Sequence, residues 1–144
     1  KLVGVLDESG MEPVQNRIEK LPFMDWRQLP AVIAGLDINL MPLENSLFHW
    51  CKSENKWTEA ALVKVPSVMS RNCEMEYVVE NGKDGWMCTT KEEWVNALEA
   101  LVTDEKARKA MGEAAHQKVM EHYLTVNTGK DAMEELLCSE SYTK

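Results

Sequence analysis

Residues 48–70 read FHWCKSENKWTEAALVKVPSVMS, a polar run that gives way to an apolar one. At about 100° per residue, Lys52, Asn55, Lys56 and Glu59 share an arc of roughly 100°, and Trp57, Ala60 and Ala61 turn away from it. The spacing predicts a helix over 52–64 with one polar and one packed face, followed by a strand over 66–70. Lys52 and Lys56 stand at i, i+4, where like charges cost about 0.2–0.5 kcal/mol in an isolated helix. An anion bound there would relieve that cost. A solvated face with Glu59 paired to Lys56 would satisfy the same pattern, and charge spacing leaves both open.

Working outward, the same alternation of short apolar runs and helical periods continues on both sides. Strands are predicted over 2–6, 17–23, 37–43 and 85–88, with the turn Asp7-Glu8-Ser9-Gly10 after the first. A helix begins near Asp25, carries Pro30 close to its start and Leu29, Val32 and Ile33 inside, and stops at Gly35. Another covers about 74–79 and ends on Asn81-Gly82. Beyond Thr89 the period is helical throughout. Thr90 and Glu93 form a capping box ahead of Trp94, Leu98 and Leu101. Ala107, Met111, Ala115 and Val119 mark a helix over 104–123, and a last helix covers 129–137. Strands that alternate with helices imply one α/β domain over 1–144. Its parallel sheet carries helices on both faces through about residue 88, and a helical C-terminal tail fills about 90–139.

The 144 residues suit one core. A formal net charge of -8 leaves no basic surplus for phosphate backbones, so a nucleic-acid partner is not expected. Cys51, Cys73, Cys88 and Cys138 are widely spaced with no CxxC pair, which predicts free thiols in a reducing compartment and no metal site. Neither a membrane span nor a signal peptide is expected. Lys1 opens directly into the run Leu2-Val3-Gly4-Val5-Leu6, as in a piece of a longer protein.

In an open parallel sheet, ligands bind outside the carboxyl ends of the strands. The 37–43 strand feeds the loop at Glu44-Asn45-Ser46 and then the helix of the opening stretch. Free N–H groups and the positive helix end favour phosphate there, with Lys52 and Ser53 adding a charge and a hydroxyl. Glu59, nearly two turns on, suits the hydroxyls of a ribose.

The stretches DINLMPLENSLFHWCKSENKWTEAALVKVPSVMS, EYVVENGKDGWMCTTKEEWVNALEAL and KARKAMGEAA resemble the C-terminal, nucleotide-sugar-binding half of group-1 (family 4) glycosyltransferases. The likeness is greatest to bacterial members that make surface polysaccharides and carry an N-x-x-F…K-S-x-x-K-x-x-E signature. Those positions are Asn45, Phe48, Lys52, Ser53, Lys56 and Glu59, and the likeness runs from about Leu2 to Tyr123. The resemblance implies one Rossmann-like half of a GT-B fold. It also implies a retaining transferase that uses a nucleoside diphosphate sugar without a metal or other cofactor. By the same resemblance Glu59 contacts the ribose, Lys52 and Ser53 hold the diphosphate, Lys56 is a weaker candidate, and the loop at Pro22 and Phe23 lies near the base. The expected partners are the nucleotide sugar, an N-terminal acceptor domain absent from this chain, and a carbohydrate or lipid-linked acceptor. The expected place is the cytoplasm, with the full-length protein peripheral at the inner membrane, and the chain alone should not transfer sugar. One departure stands out: the family's E-x7-E motif would put its first glutamate at position 51, where this chain has Cys51. That glutamate normally helps orient the donor sugar. The alternatives are a non-catalytic GT-B-like module that binds nucleotide sugar or a partner chain, and half of a GT-B epimerase.

Other chemistry-bearing residues are read as structural. Trp57, Trp86 and Trp94 sit on apolar faces, Trp50 lies beside the loop, and His116 and His122 are expected at the surface. His49 adjoins the site with nothing in the sequence to orient it. Asp37 and Glu44 are too generic for a glycosidase pair, and Glu74, Glu76 and Glu80 form a solvated acidic face.

Overall fold

The computed structural model describes residues 1–4, 11–44 and 46–139. The predicted turn at 7–10, residues 5 and 6 of the first strand, and Asn45 lie outside them. Strand β1 (Leu2–Val3) pairs in parallel with β2 (Lys20–Leu21), Leu2 opposite Lys20. A second parallel sheet has the order β3-β4-β5, from β3 (Asn39–Met41), β4 (Ser67–Ser70) and β5 (Trp86–Cys88). Parallel neighbours need a crossover. Helix α1 (Leu29–Ala34) lies between β2 and β3, α2 (Leu47–Trp50) and α3 (Asn55–Leu62) between β3 and β4, and α4 (Cys73–Val78) between β4 and β5.

Side chains alternate across a strand, and here both faces are covered. Met41, Met69 and Met87 point to one side, against Trp57, Ala61 and Met75. Val68 and Cys88 point to the other, against Ala97 and Leu101 of α5 (Lys91–Thr103) and Met111 of α6 (Glu105–His122). The chain is thus an α/β, Rossmann-like parallel arrangement with a helical C-terminal region, closed by α7 (Thr125–Ser139). Thr90 and Glu93 make the expected reciprocal capping box at the start of α5. Met111, Ala115 and Val119 bury the inner stripe of α6, while Ala107 is exposed.

Several boundaries differ from the sequence expectation. The predicted 52–64 helix is shorter, α3 over Asn55–Leu62, and the loop expected ahead of it holds a helix of its own. Ser46 caps that helix, its Oγ accepting from the His49 N–H, and α2 stops at Cys51. Lys52 and Ser53 therefore lie in the link rather than on a helix, so the i, i+4 repulsion between Lys52 and Lys56 does not arise. At the other end Val63 is the C-cap and Lys64 takes φ 61°, a left-handed conformation that terminates the helix. The predicted 17–23 strand shrinks to two paired residues because Pro13, with its fixed φ, opens a 3₁₀ turn over Glu12–Arg17. Asn81-Gly82 does not cap α4, which already ends at Val78 with Val79 extended. Gly82, at φ 83°, turns the chain into β5. The last helix starts earlier than predicted, at Thr125.

Two contacts fix α6 against the sheet layers. Gly112 abuts the Lys64 carbonyl and Pro66, and a Cβ at that position would stand 2.1 Å from the Lys64 oxygen. Trp57, fully buried, donates its indole N–H to the Asp84 carbonyl at 2.8 Å. The Asp84 carboxylate accepts from the Glu80 N–H at 2.8 Å and from Lys118 Nζ at 2.9 Å. His116, expected at the surface, is half-buried with Nδ1 3.1 Å from the Ala61 carbonyl, because α6 packs closely on α3.

Candidate functional site

The carboxyl ends of β3, β4 and β5 open onto a cleft of about 330 Å³, within the usual size of small-molecule sites. Glu44, His49 and Trp50 form one wall, from the segment that follows β3. Ser70, the last residue of β4, and Arg71 and Asn72 after it line the cleft with Thr89 beyond β5.

The segment after β3 is held from β4. Ser70 Oγ accepts from the Leu43 N–H at 2.8 Å and donates to the Leu43 carbonyl at 3.1 Å. Asn72 caps α4 with Oδ1, 2.8 Å from the Met75 N–H, and extends Nδ2 to the His49 carbonyl at 3.5 Å. These short polar side chains serve where a loop has no ladder to satisfy its backbone. Arg71 pairs with Glu76 at 3.0 Å, so the one cation in the lining among the described residues is met by a carboxylate, and Glu44 adds a second. Burial pushes the Cys88 thiol upward from its ordinary value, keeping it protonated at neutral pH.

Of the residues expected from the sequence, Phe48, Lys52, Ser53, Lys56 and Glu59 do not line this cleft. Asn45 lies outside the described residues. Phe48 is exposed, with its ring edge-on to His49 at 5.3 Å and the Lys52 ammonium over it at 4.5 Å. Phe48, Lys52 and His49 therefore form one contiguous group that reaches the cleft through His49. Ser53 is exposed in the link between α2 and α3. Lys56 and Glu59 lie on the exposed side of α3, and the ion pair between them that would make this a self-satisfied face is not formed among the described residues. Glu54, the N-cap of α3, makes no side-chain cap hydrogen bond. Asn39 anchors that first turn, its Nδ2 donating to the Lys56 carbonyl at 3.3 Å and to Ser67 Oγ at 3.0 Å. Cys51 is exposed at the C-cap of α2.

Sequence reasoning missed Ser70, Arg71, Asn72 and Thr89. The signal was present, because the rule that places ligands beyond strand ends applies to β4 and β5 as much as to β3. It also left His49 unoriented, whereas Ser46 Oγ stands 2.8 Å from His49 Nδ1. Glu76 is engaged with Arg71 rather than simply solvated. Among the described residues, no group of three or more His, Cys, Asp or Glu is arranged to hold a metal ion, and no helix is long and apolar enough to cross a membrane.

Comparison with known proteins places this geometry. The fold matches HepE (Alr3699) of Anabaena, a structure solved in complex with UDP and glucose, with a TM-score of 0.71 at 18% identity over 88% of this chain. The same protein solved with UDP-glucose gives equal figures. The C-terminal domain of the group 1 glycosyl transferase LpcC from Francisella tularensis matches with a TM-score of 0.61 at 17% identity over 78% of the chain. The matches span 33% of the HepE chain and 57% of the LpcC one. No curated protein sequence matches. Identity at this level carries the fold alone, but residues 2–104 also match the sequence model of a single family. The chain belongs to the group 1 glycosyl transferases.

Proposed function

We propose that the chain is the donor-binding half of a retaining glycosyltransferase that moves a sugar from a nucleoside diphosphate to a polysaccharide or lipid-linked acceptor. The observation that carries this reading is the polar cleft at the carboxyl edge of the sheet, joined through His49 to the Phe48–Lys52 pair. HepE binds UDP-glucose on the same fold. The ammonium of Lys52, the Ser53 hydroxyl and the first N–H groups of α3 neutralise the diphosphate, which is the leaving group of the reaction. With that charge met by fixed donors, no metal is needed for departure. Asn45 and Phe48 complete the donor-binding set, Lys56 adds charge, Glu59 accepts from the ribose hydroxyls, and the loop at Pro22 and Phe23 meets the base. An acceptor-binding domain, not included in these 144 residues, would complete the cleft, so the chain alone binds nucleotide without transferring sugar. The enzyme would act in the cytoplasm, peripheral at the inner membrane where a lipid-linked acceptor is presented.

The test is a calorimetric titration of the chain with UDP, GDP and dTDP, repeated for Glu59→Ala and Lys52→Ala. One nucleotide should bind, and each substitution should weaken it by about tenfold, the loss expected for one charge-assisted hydrogen bond. If no nucleotide binds at millimolar concentration, the reading is wrong.

A further inference from the structure

Resting on that function, we infer that His49 is a sugar-reading residue of this chain: its Nε2 donates to a hydroxyl of the donor's hexose seated in the cleft. Three observations carry the inference. The first is the way the imidazole is held. Ser46 Oγ accepts the His49 backbone N–H at 3.4 Å and stands 2.8 Å from Nδ1. The assignment that uses the hydroxyl once in each role gives its proton to Nδ1. In that tautomer the ring hydrogen lies on Nε2, as a donor. Phe48 packs edge-on at 5.3 Å, and Asn72 reaches the His49 carbonyl, so ring and backbone are both fixed before any ligand arrives.

The second observation is the charge of the cleft. Arg71 is paired with Glu76, and Glu44 stands on the rim, so the lining carries more negative than positive charge. A phosphate would be repelled there. A neutral ring bearing several hydroxyls fits, because the hydroxyl of Thr89 and the carboxylates offer partners for it. The third is adjacency. Lys52, the cation assigned to the diphosphate, covers one face of the Phe48 ring, and His49, which lines the cleft, meets the same ring edge-on. A sugar joined to a diphosphate at Lys52 is one side chain away from His49. Cys51 supplies no carboxylate to this part of the site, and a hydrogen-bond donor two positions earlier offers a different way to orient the sugar.

The experiment compares a nucleotide with its sugar conjugate: UDP against UDP-glucose and GDP against GDP-mannose, by calorimetry on wild type, His49→Ala and His49→Gln. The conjugate should bind wild type more tightly than the bare nucleotide. His49→Ala should lose about tenfold in affinity for the conjugate and keep its affinity for the bare nucleotide within about twofold. His49→Gln, which retains an N–H near the Nε2 position, should recover most of the loss. If His49→Ala weakens nucleotide and conjugate equally, or leaves both unchanged, the assignment of His49 is refuted while the nucleotide site stands. If wild type binds no nucleotide, the donor-binding function falls and takes this inference with it.

Discussion

The contact between Gly112 and the Lys64 turn sets a demanding test of the packing. A methyl group at position 112 would lie 2.1 Å from the Lys64 oxygen, 2.8 Å from the Lys64 carbonyl carbon and 3.3 Å from Pro66 Cδ. The first two are backbone atoms, so no side-chain rotation relieves them. Carbon and oxygen not bonded to each other approach to roughly 3.3 Å even in weak hydrogen-bonded contacts, so α6 and the turn must part by about 1 Å. Met111, Ala115 and Val119 on the same stripe of α6 would be pulled from the core with it. Overpacking of this kind costs about 1–3 kcal/mol or more, and the gain from replacing a helical glycine returns only about 0.5–1 kcal/mol. Gly112→Ala should therefore destabilise by about 2 kcal/mol net and lower Tm by about 4–8 °C, read by urea and thermal unfolding with far-ultraviolet circular dichroism. The matched control is Gly129→Ala in α7, where an added Cβ meets nothing within 4 Å; that change should be neutral or stabilising. Equal stability of Gly112→Ala and wild type would refute the close approach of α6 to the turn.

Two further outcomes test the interior and the caps. Asp84→Ala leaves Lys118 and the Glu80 N–H without a partner that is 2% exposed; it should cost about 3 kcal/mol in urea unfolding, and about 1 kcal/mol less in a Lys118→Ala background. The Glu93 carboxyl is held below its ordinary value of 4.5 first by the Thr89 N–H and then by the Thr90 N–H. A depressed folded-state value means that its stabilisation is present above about pH 4.5 and is lost as pH falls through the folded value. Glu93→Gln should make the acid-side loss of stability shallower, and an unchanged slope between pH 5 and 2 would count against the capping box.

The sequence carried the parallel α/β plan because that plan is written in local periods: Val68 and Met69 must face opposite ways, and Thr90 with Glu93 can only start a helix. Boundaries were less legible where one residue competes for two roles. Ser46 reads as part of a 44–51 loop until its hydroxyl is seen to cap α2, a one-turn helix too short for periodicity to show. Pro13 likewise decides a 3₁₀ turn that apolar spacing gives no hint of. The cleft was half legible. The segment after β3 announces itself by charge, but Ser70 and Asn72 are ordinary polar residues, and their role comes from reaching across to Leu43 and His49, a relation between strands rather than along one.

The hydrogen bond from the Trp57 indole to the Asp84 carbonyl gives the molecule a clock. Of the five tryptophans, Trp57 has a ring with no exposed surface, and its N–H is released only when α3 and the turn before β5 separate. In deuterated water that indole proton should outlast the other four, and its exchange rate measures the free energy of opening that seam. Nucleotide bound at the start of α3 would slow it, so the seam would register an occupied site from inside the core.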